Sequence, residues 1–212
     1  MEGPIPYLIV APADAPPDAP IVLALHGRGD RGERFARLAE QLRLPLRFVV
    51  GDAPMPWGAR GGRRWFDMKS PDLPAQLSAR VADLVSLADV VAARWPQAPT
   101  PILLGFSQGA MLSLQALAQR PDRFAGVIAL SGSLLVTEGL TPAKAGRPAL
   151  ITTGTKDRVV PSARSRAAAA ALEALGHQVD TLEFEGGHMV SQGVLERVAQ
   201  SLRAWTSANP TQ

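Results

Sequence analysis

Residues 101–109 read Pro-Ile-Leu-Leu-Gly-Phe-Ser-Gln-Gly, a short apolar run that ends in Gly-x-Ser-x-Gly. The helix-forming stretch Ala110–Arg120 follows it directly. A strand that turns this sharply into a helix holds its central residue in a strained conformation, with the side chain above the sheet. Glycines at positions 105 and 109 leave room for the close approach of the chain. The pattern therefore predicts that Ser107 is a nucleophile.

A serine becomes a good nucleophile only when a neighbouring base takes its proton. The sequence offers three histidines, His26, His177 and His188. After an elbow serine, the acid and then the histidine follow on later loops at the carboxyl edge of the sheet. His26 precedes Ser107, and His177 lies between a helix and a strand, where a side chain usually faces water. His188 is therefore the predicted base, with an ordinary surface-loop histidine as the alternative.

The acid that orients the base is expected on a loop between these two residues. Residues 149–161 supply a strand, a glycine-bearing turn, Asp157 and the start of a helix. Asp157 could instead be a turn or helix-capping aspartate, which is a common role. Asp122 and Asp180 are weaker candidates, since one precedes a strand at the opposite edge and the other lies within a strand.

The negative oxygen formed during acyl transfer needs two main-chain donors. One is expected from Gln108, the residue after the nucleophile, and the other from the loop after an early strand. That loop reads Leu-His-Gly-Arg-Gly-Asp over residues 25–30, and Arg28 lies where the second amide is wanted.

Short apolar runs alternate with helical patterns along the whole chain. The predicted strands are Tyr7–Val10, Ile21–Leu25, Arg47–Val50, Ile102–Leu104, Gly126–Leu130, Ala149–Thr153 and Val179–Phe184. The predicted helices are Glu33–Leu44, Ala75–Arg94, Gln108–Gln119, Ser162–Leu175 and Val194–Trp205. This alternation favours a mostly parallel sheet of about seven strands with helices on both faces. The first two strands resemble a hairpin, and residues 51–74 form the longest segment without predicted structure.

Length and composition bound the remaining possibilities. The chain has 212 residues, of which 46% are hydrophobic and 19% charged, which predicts one globular α/β domain over residues 1–212. A net charge of +3 gives little reason to expect nucleic acid or an anionic membrane as a partner. The absence of cysteine excludes thiolate catalysis, disulfides and cysteine metal sites. The first six residues lack the features of a leader, so we expect a cytoplasmic protein without stable membrane association, either a monomer or a homodimer.

With these residues placed, the chain resembles the phospholipase/carboxylesterase family of α/β-hydrolases, which includes the acyl-protein thioesterases and many small bacterial esterases. The resemblance runs from the strand before His26 to the final helix. It rests on Leu-His-Gly-x-Gly-Asp at 25–30, Trp-Phe-Asp at 65–67, Gly-Phe-Ser-Gln-Gly-Ala at 105–110, Leu-Ser-Gly at 130–132, Gly-x-x-Asp-x-x-Val-Pro at 154–161 and Gly-His at 187–188. It implies a triad of Ser107, Asp157 and His188, with an oxyanion hole made by the amides of Arg28 and Gln108.

The chain departs from this family pattern at Arg28. Members that act on lipidated proteins usually carry a hydrophobic residue, often leucine, at this position. A charged side chain beside the scissile bond fits poorly with a long acyl tunnel, and further arginines at 60, 63 and 64 make an ester with an anionic part conceivable. Solvated arginines, or arginines paired with Asp30 or Asp67, are the simpler interpretation.

The segment between residues 130 and 149 is too short to build a large lid, so an open site for small soluble substrates is expected. Around it we expect an acyl pocket, although core packing would explain the same residues: Trp57, Trp65, Phe66, Leu134, Leu135, Val159 and Met189. The predicted activity is hydrolysis of short- to medium-chain carboxylic esters, with thioesters as a possible extension, without a metal or cofactor. Activity should rise through roughly pH 6–8 as His188 becomes a free base.

Three alternatives remain at this point. An acyl-protein thioesterase or lysophospholipase would use the same residues on longer acyl chains. A peptidase or amidase would use the same triad on amides. A non-catalytic protein would keep the fold and only bind a small ligand.

Overall fold

The computed structural model of the protein describes residues 5–207. The first four residues, on which the expectation of a missing leader partly rests, lie outside the described residues, as do residues 208–212. The strands are β1 (Tyr7–Val10), β2 (Ile21–Leu25), β3 (Arg47–Gly51), β4 (Met55–Trp57), β5 (Gly62–Arg64), β6 (Ile102–Phe106), β7 (Gly126–Leu130), β8 (Pro148–Gly154) and β9 (Gln178–Phe184). The helices are α1 (Gly32–Leu42), α2 (Leu73–Arg94), α3 (Gln108–Gln119), α4 (Ser162–Ala174) and α5 (Gln192–Ser207).

Seven of these strands form one sheet in the order β1-β3-β2-β6-β7-β8-β9. All neighbours pair in parallel except β1, which pairs with β3 in the antiparallel direction. The predicted fold class, a mostly parallel α/β-hydrolase sheet, is confirmed.

The predicted hairpin of β1 with β2 is wrong, because residues 11–20 carry the chain past β3. The buried guanidinium of Arg47 fixes that crossing by donating hydrogen bonds to four main-chain oxygens, those of Ala15, Pro16, Pro17 and Ala19.

The apolar strands show no alternation because both faces of the sheet are covered. Side chains from one face pack against α2, α3 and α4 in one core. Side chains from the other face pack against α1 and α5 in a second core. The central strands β2, β3 and β7 are buried along their whole length. This two-sided burial gives a rigid platform whose carboxyl edge carries the loops described below.

The segment from residue 51 to residue 74, predicted to lack structure, contains a small hairpin. Strands β4 and β5 pair antiparallel, with Met55 opposite Arg64 and Trp57 opposite Gly62. Glycines at 58 and 61 have φ angles of +67° and +71° and allow the chain to reverse between the strands. The sequence prediction missed this hairpin because each strand has only three residues and the pattern contains Pro56 and no apolar alternation.

No large lid covers the sheet in the described part of the chain. Residues 131–147, which connect β7 with β8, contain neither a helix nor a strand. Between residues 5 and 207, no helix combines the length and apolar composition needed to cross a bilayer.

Candidate active site

Ser107 lies between β6 and α3 in a backbone conformation that L-residues rarely adopt, with φ of +53° and ψ of −115°. Two glycines make this turn possible. A Cβ on Gly109 would lie 2.2 Å from the carbonyl oxygen of Leu25, and one on Gly105 would lie 2.4 Å from the carbonyl carbon of Gly109. The Ser107 amide donates to the oxygen of Leu130 at 2.8 Å. The turn is therefore fixed to the strands on both sides of it.

The structure brings Ser107, His188 and Asp157 together, although they are far apart in the sequence. The Ser107 Oγ lies 2.8 Å from His188 Nε2, and His188 Nδ1 lies 2.7 Å from Asp157 Oδ2. The second carboxylate oxygen of Asp157 accepts hydrogen bonds from the amides of Val159 and Val160 at 2.8 and 2.9 Å. A continuous hydrogen-bonded chain thus runs from a hydroxyl through an imidazole to a fixed carboxylate.

The environment of Asp157 keeps it ionised. Its side chain is completely buried, whereas the side chain of His188 is 17% exposed. Burial opposes ionisation, but the hydrogen bonds from His188 and from the amides of Val160 and Val159 outweigh it, so the pKa of Asp157 lies below its ordinary value. The carboxylate therefore accepts the Nδ1–H of His188, and Nε2 of the ring faces Ser107.

The loops after β8 and β9, which carry Asp157 and His188, form what we call the acid–base half of the site. They are joined by main-chain hydrogen bonds from Thr155 to Phe184 at 2.9 Å and from Lys156 to Gly186 at 2.8 Å. A Cβ on Gly154 would lie 2.4 Å from the oxygen of Gly186, so a side chain there would force the two loops apart. Short backbone contacts between neighbouring strands therefore set the Asp157–His188 distance.

The loop after β2, residues 26–30, and the β4–β5 hairpin with residues 65–66 form the opposite side, the oxyanion half. The Gly29 amide donates to the oxygen of Arg63 at 2.7 Å, and the Arg63 amide donates to the oxygen of Asp30 at 2.9 Å. A Cβ on Gly62 would lie 2.5 Å from the oxygen of Gly29. Main-chain hydrogen bonds thus fix the hairpin to the loop that carries Arg28.

The side chain of Gln108 joins the oxyanion half to the nucleophile turn. It is buried at the start of α3, accepts from the Trp65 amide at 2.8 Å and donates to the oxygen of Phe66 at 2.9 Å. Sequence reasoning used only the main-chain amide of Gln108 and missed this second role. A long polar side chain directly after the serine, at the buried start of a mostly apolar helix, was the available signal.

His26 is a buried structural residue of the oxyanion half. Its Nδ1 donates to the oxygen of Gly27 at 2.8 Å, and its Nε2 accepts from the amide of Ala53 at 3.0 Å. The indole Nε1 of Trp65 donates to the His26 oxygen at 2.8 Å. Burial lowers the pKa of His26, although its hydrogen bond to Gly27 and the nearby carboxylates of Asp52 and Asp30 oppose this shift. The neutral ring therefore connects the loop after β2 with the end of β3.

The two predicted oxyanion donors retain their hydrogen-bonding capacity. Within residues 5–207, neither the amide of Arg28 nor that of Gln108 donates a hydrogen bond to another protein group. Gly27, next to Arg28, lies against the nucleophile turn, since a Cβ on it would be 3.3 Å from the Cβ of Ser107. Both amides therefore remain candidates for binding an incoming oxygen.

Comparison with known proteins gives the same result as this geometry. The model of the phospholipase/carboxylesterase family matches residues 7–206. The chain belongs to this family. It is similar to acyl-protein thioesterase 1 of Schizosaccharomyces pombe, with 31% identity over 70% of this chain and 73% of the relative. It is also similar to acyl-protein thioesterase 1 of Gibberella zeae, with 29% identity over 86% of this chain and 88% of the relative.

Solved structures of esterases have the same fold as this chain. Esterase PE8 has 27% sequence identity and a TM-score of 0.83, and the match covers 94% of this chain and 98% of that one. A carboxylesterase from Mesorhizobium loti has the same fold, with a TM-score of 0.84 at 21% identity over 96% of each chain. The predicted family and enzyme class are thus confirmed: the protein is a serine hydrolase with the α/β-hydrolase fold.

The residues predicted to line an acyl pocket fall into two groups in this family member. Trp57, Val159 and Met189 are 40%, 60% and 50% exposed and are available to a substrate. Trp65 and Phe66 have no exposed surface and belong to the core beneath the site. Leu134 and Leu135 are partly buried and pack against the same core. Direct substrate contact therefore fits the first group, whereas the second group consists of residues in or against the core, and the prediction that Trp65 and Phe66 line a pocket is wrong.

His177, predicted to face water, is buried at 5% exposure. Its Nδ1 accepts a hydrogen bond from the Arg147 amide at 3.2 Å, and residues 143–147 lie against this turn, since the Ala143 amide donates to the oxygen of Leu175 and the Gln178 amide to that of Arg147. Burial is the largest influence on the pKa of His177 and lowers it. Of the three histidines, only His188 contacts the serine.

Proposed function

We propose that the protein is a carboxylesterase that hydrolyses short- to medium-chain esters through an acyl-enzyme on Ser107. The observation that carries the proposal is the hydrogen-bonded series Ser107, His188 and Asp157, with contacts of 2.8 and 2.7 Å. Such a series is the arrangement by which a neutral imidazole activates an alcohol at neutral pH.

Each residue has a defined task in the proposed reaction. Ser107 Oγ attacks the ester carbonyl while His188 Nε2 takes its proton, and Asp157 holds the ring in the required tautomer. The amides of Arg28 and Gln108 stabilise the negative oxygen of the tetrahedral intermediate. His188 then donates the proton to the leaving alcohol, and water activated by the same ring hydrolyses the acyl-enzyme.

The size of the substrate follows from what surrounds the serine. No lid element lies over the site in residues 5–207, and the apolar residues Val159 and Met189 are exposed beside it. A charged Arg28 adjoins the reacting carbonyl in this proposal. These features favour small soluble esters over long acyl chains that need an enclosed tunnel.

The test is labelling with a fluorophosphonate probe, followed by identification of the modified residue. We expect probe incorporation at Ser107 and loss of both labelling and p-nitrophenyl butyrate hydrolysis in Ser107→Ala. Ser131→Ala is a matched control, because Ser131 also directly follows a strand and has a left-handed φ, +51°, but its buried hydroxyl has no hydrogen-bond partner among the described residues. Equal labelling of Ser107→Ala and the unsubstituted protein would refute the proposal.

A second candidate function is hydrolysis of long-chain thioesters. It is favoured by the relatives named acyl-protein thioesterase 1, which match up to 86% of the chain. A series of esters and thioesters of increasing acyl length separates the two candidates. Highest kcat/KM on long-chain thioesters would favour the second, and a shift toward longer chains in Arg28→Leu would identify Arg28 as the residue that limits length.

Location and assembly belong to this proposal as well. We place the protein in the cytoplasm as a monomer or homodimer, acting on a small-molecule ester. Cell fractionation and size-exclusion chromatography with light scattering test these two statements directly.

A further inference from the structure

Two exposed arginines of the oxyanion half, Arg28 and Arg60, pair with no carboxylate within residues 5–207, and of these two only Arg28 stacks on Trp57. The three aspartates in or next to this half each lie within 4 Å of an arginine side chain: Asp30 with Arg34 at 2.7 Å, Asp67 with Arg64 at 3.1 Å, and Asp52 with both Arg31 and Arg63 at 3.6 Å. Within residues 5–207, Arg28 makes no ion pair, and its side chain is exposed. Its charge is therefore available to a ligand.

The head group of Arg28 is held in place by Trp57. Its guanidinium carbon lies 4.9 Å from the centre of the Trp57 ring, and that of Arg64 lies 5.1 Å from the same ring. The two guanidinium carbons are thus no more than about 10 Å apart. The ring itself packs against Gly29, where a Cβ would be 3.4 Å from Trp57 Cδ1. Stacking on an aromatic ring orders an arginine before any ligand arrives.

The position of Arg28 ties this charge to the reaction. Its main-chain amide is one of the two proposed oxyanion donors, so the guanidinium lies within one side-chain length of the reacting carbonyl. On the acid–base half, Val159 and Met189 offer exposed apolar surface, next to the exposed side chain of Arg158.

We propose that Arg28, stacked on Trp57 and assisted by Arg64, binds a carboxylate or phosphate group of the substrate, so that the preferred esters carry an anion a few bonds from the scissile carbonyl. This inference rests on the proposed function and names its substrate class. A guanidinium matches a carboxylate or phosphate with two parallel hydrogen bonds. The rest of the substrate then lies toward Val159 and Met189.

Two pairs of esters test this and distinguish where the anion is attached. Monomethyl glutarate against methyl valerate places the anion on the acyl side, and 4-acetoxybenzoate against its methyl ester places it on the alcohol side. For each pair the measured quantity is the ratio of kcat/KM for the anionic over the neutral ester. We expect a ratio above one in at least one pair, a fall of about tenfold in Arg28→Gln, and partial retention in Arg28→Lys.

Arg60→Gln is the matched control, since Arg60 is exposed on the same hairpin but contacts neither Trp57 nor a carboxylate within the described residues. Its ratio should equal that of the unsubstituted protein. An equal fall in Arg60→Gln, or an unchanged ratio in Arg28→Gln for both pairs, overturns the inference while hydrolysis of the neutral esters still supports the proposed function. Absence of turnover on all four esters, together with absence of probe labelling at Ser107, contradicts both.

Discussion

The acid–base half and the oxyanion half are held by different kinds of contact. In the first, neighbouring parallel strands end together, and backbone hydrogen bonds such as Lys156 to Gly186 fix the loops. In the second, a loop is held from outside the sheet by a short hairpin and by the side chains of Gln108 and His26. The first half depends on strand order, and the second depends on particular side chains. We therefore expect a substitution in the acid–base half to lower kcat without unfolding the protein. A substitution in the oxyanion half should lower both kcat and the free energy of unfolding.

The largest effect is expected from Asp157→Asn in the acid–base half. An amide of the same shape keeps one oxygen for the Val159 and Val160 amides but no longer stabilises the tautomer and the charge of His188. We expect kcat on p-nitrophenyl butyrate to fall by about 10⁴-fold. Circular dichroism and urea unfolding should show a folded protein.

Asp122→Asn provides the comparison for this change, because Asp122 pairs with Arg120 at the surface, outside the site. It should keep full activity. A loss below tenfold in Asp157→Asn would mean that another group orients His188, and the assignment of the acid would be wrong.

An intermediate effect is expected from Gln108→Ala in the oxyanion half. The change leaves the buried Trp65 amide and Phe66 oxygen without partners and should lower the free energy of unfolding by about 2–4 kcal/mol. It also releases the hairpin from the nucleophile turn, so we expect kcat to fall by about tenfold. Urea denaturation and steady-state kinetics measure the two effects separately.

Gln115→Ala is a matched control from the same helix. The Gln115 side chain also bonds one main-chain amide and one main-chain oxygen, both of Val136, at 3.1 and 3.0 Å. It should lower stability by a similar amount and leave kcat unchanged. Equal losses of kcat in both variants would mean that Gln108 acts only through overall stability, and the special role of the oxyanion half would be withdrawn.

The same contrast explains how much could be predicted from the sequence. Every strand and helix predicted from apolar periodicity is present, with ends within two residues, because both-sided burial leaves a strong signal in strands such as β2 and β7. Ser107, Asp157 and His188 could be proposed together because order along the chain decides which loops share the carboxyl edge. Strand order places their loops at one edge of the sheet, and backbone contacts between the loops set the hydrogen-bond distances.

The oxyanion half was harder to predict because its contacts join residues that carry no periodic pattern. The hairpin of β4 and β5 has three-residue strands, and its hydrogen bonds to the loop of residues 26–30 specify its position. The pairing of β1 with β3 depends on how Arg47 fixes the chain crossing. The burial of His177 accompanies its contact with Arg147, which lies 30 residues earlier in the chain. Such long-range contacts of single polar side chains are not encoded in local spacing.

The smallest expected effect is a difference between the two halves in the pH at which acid lowers their stability. Burial lowers the pKa of His26 below its ordinary value of 6.5, whereas the pKa of Asp157 lies below 3.8. The unfolded chain therefore binds a proton at residue 26 more readily than the folded chain, and the stability contributed by neutral His26 is lost as pH falls below 6.5. The contribution of ionised Asp157 is lost only below pH 3.8. Between pH 6.5 and pH 3.8, acid should therefore destabilise the oxyanion half while the acid–base half keeps its stability.

Hydrogen exchange of peptides covering residues 26–32 and 154–160 measures this order directly at pH 7, 6 and 5, after correction for intrinsic rates. Protection should fall in the first peptide while the second keeps it. His177→Asn removes the other buried histidine with a lowered pKa, which lies at the opposite edge of the sheet, and should leave the order unchanged. Loss of protection in both peptides together would show that the two halves unfold as one unit, in which case the distinction between them would apply to catalysis alone.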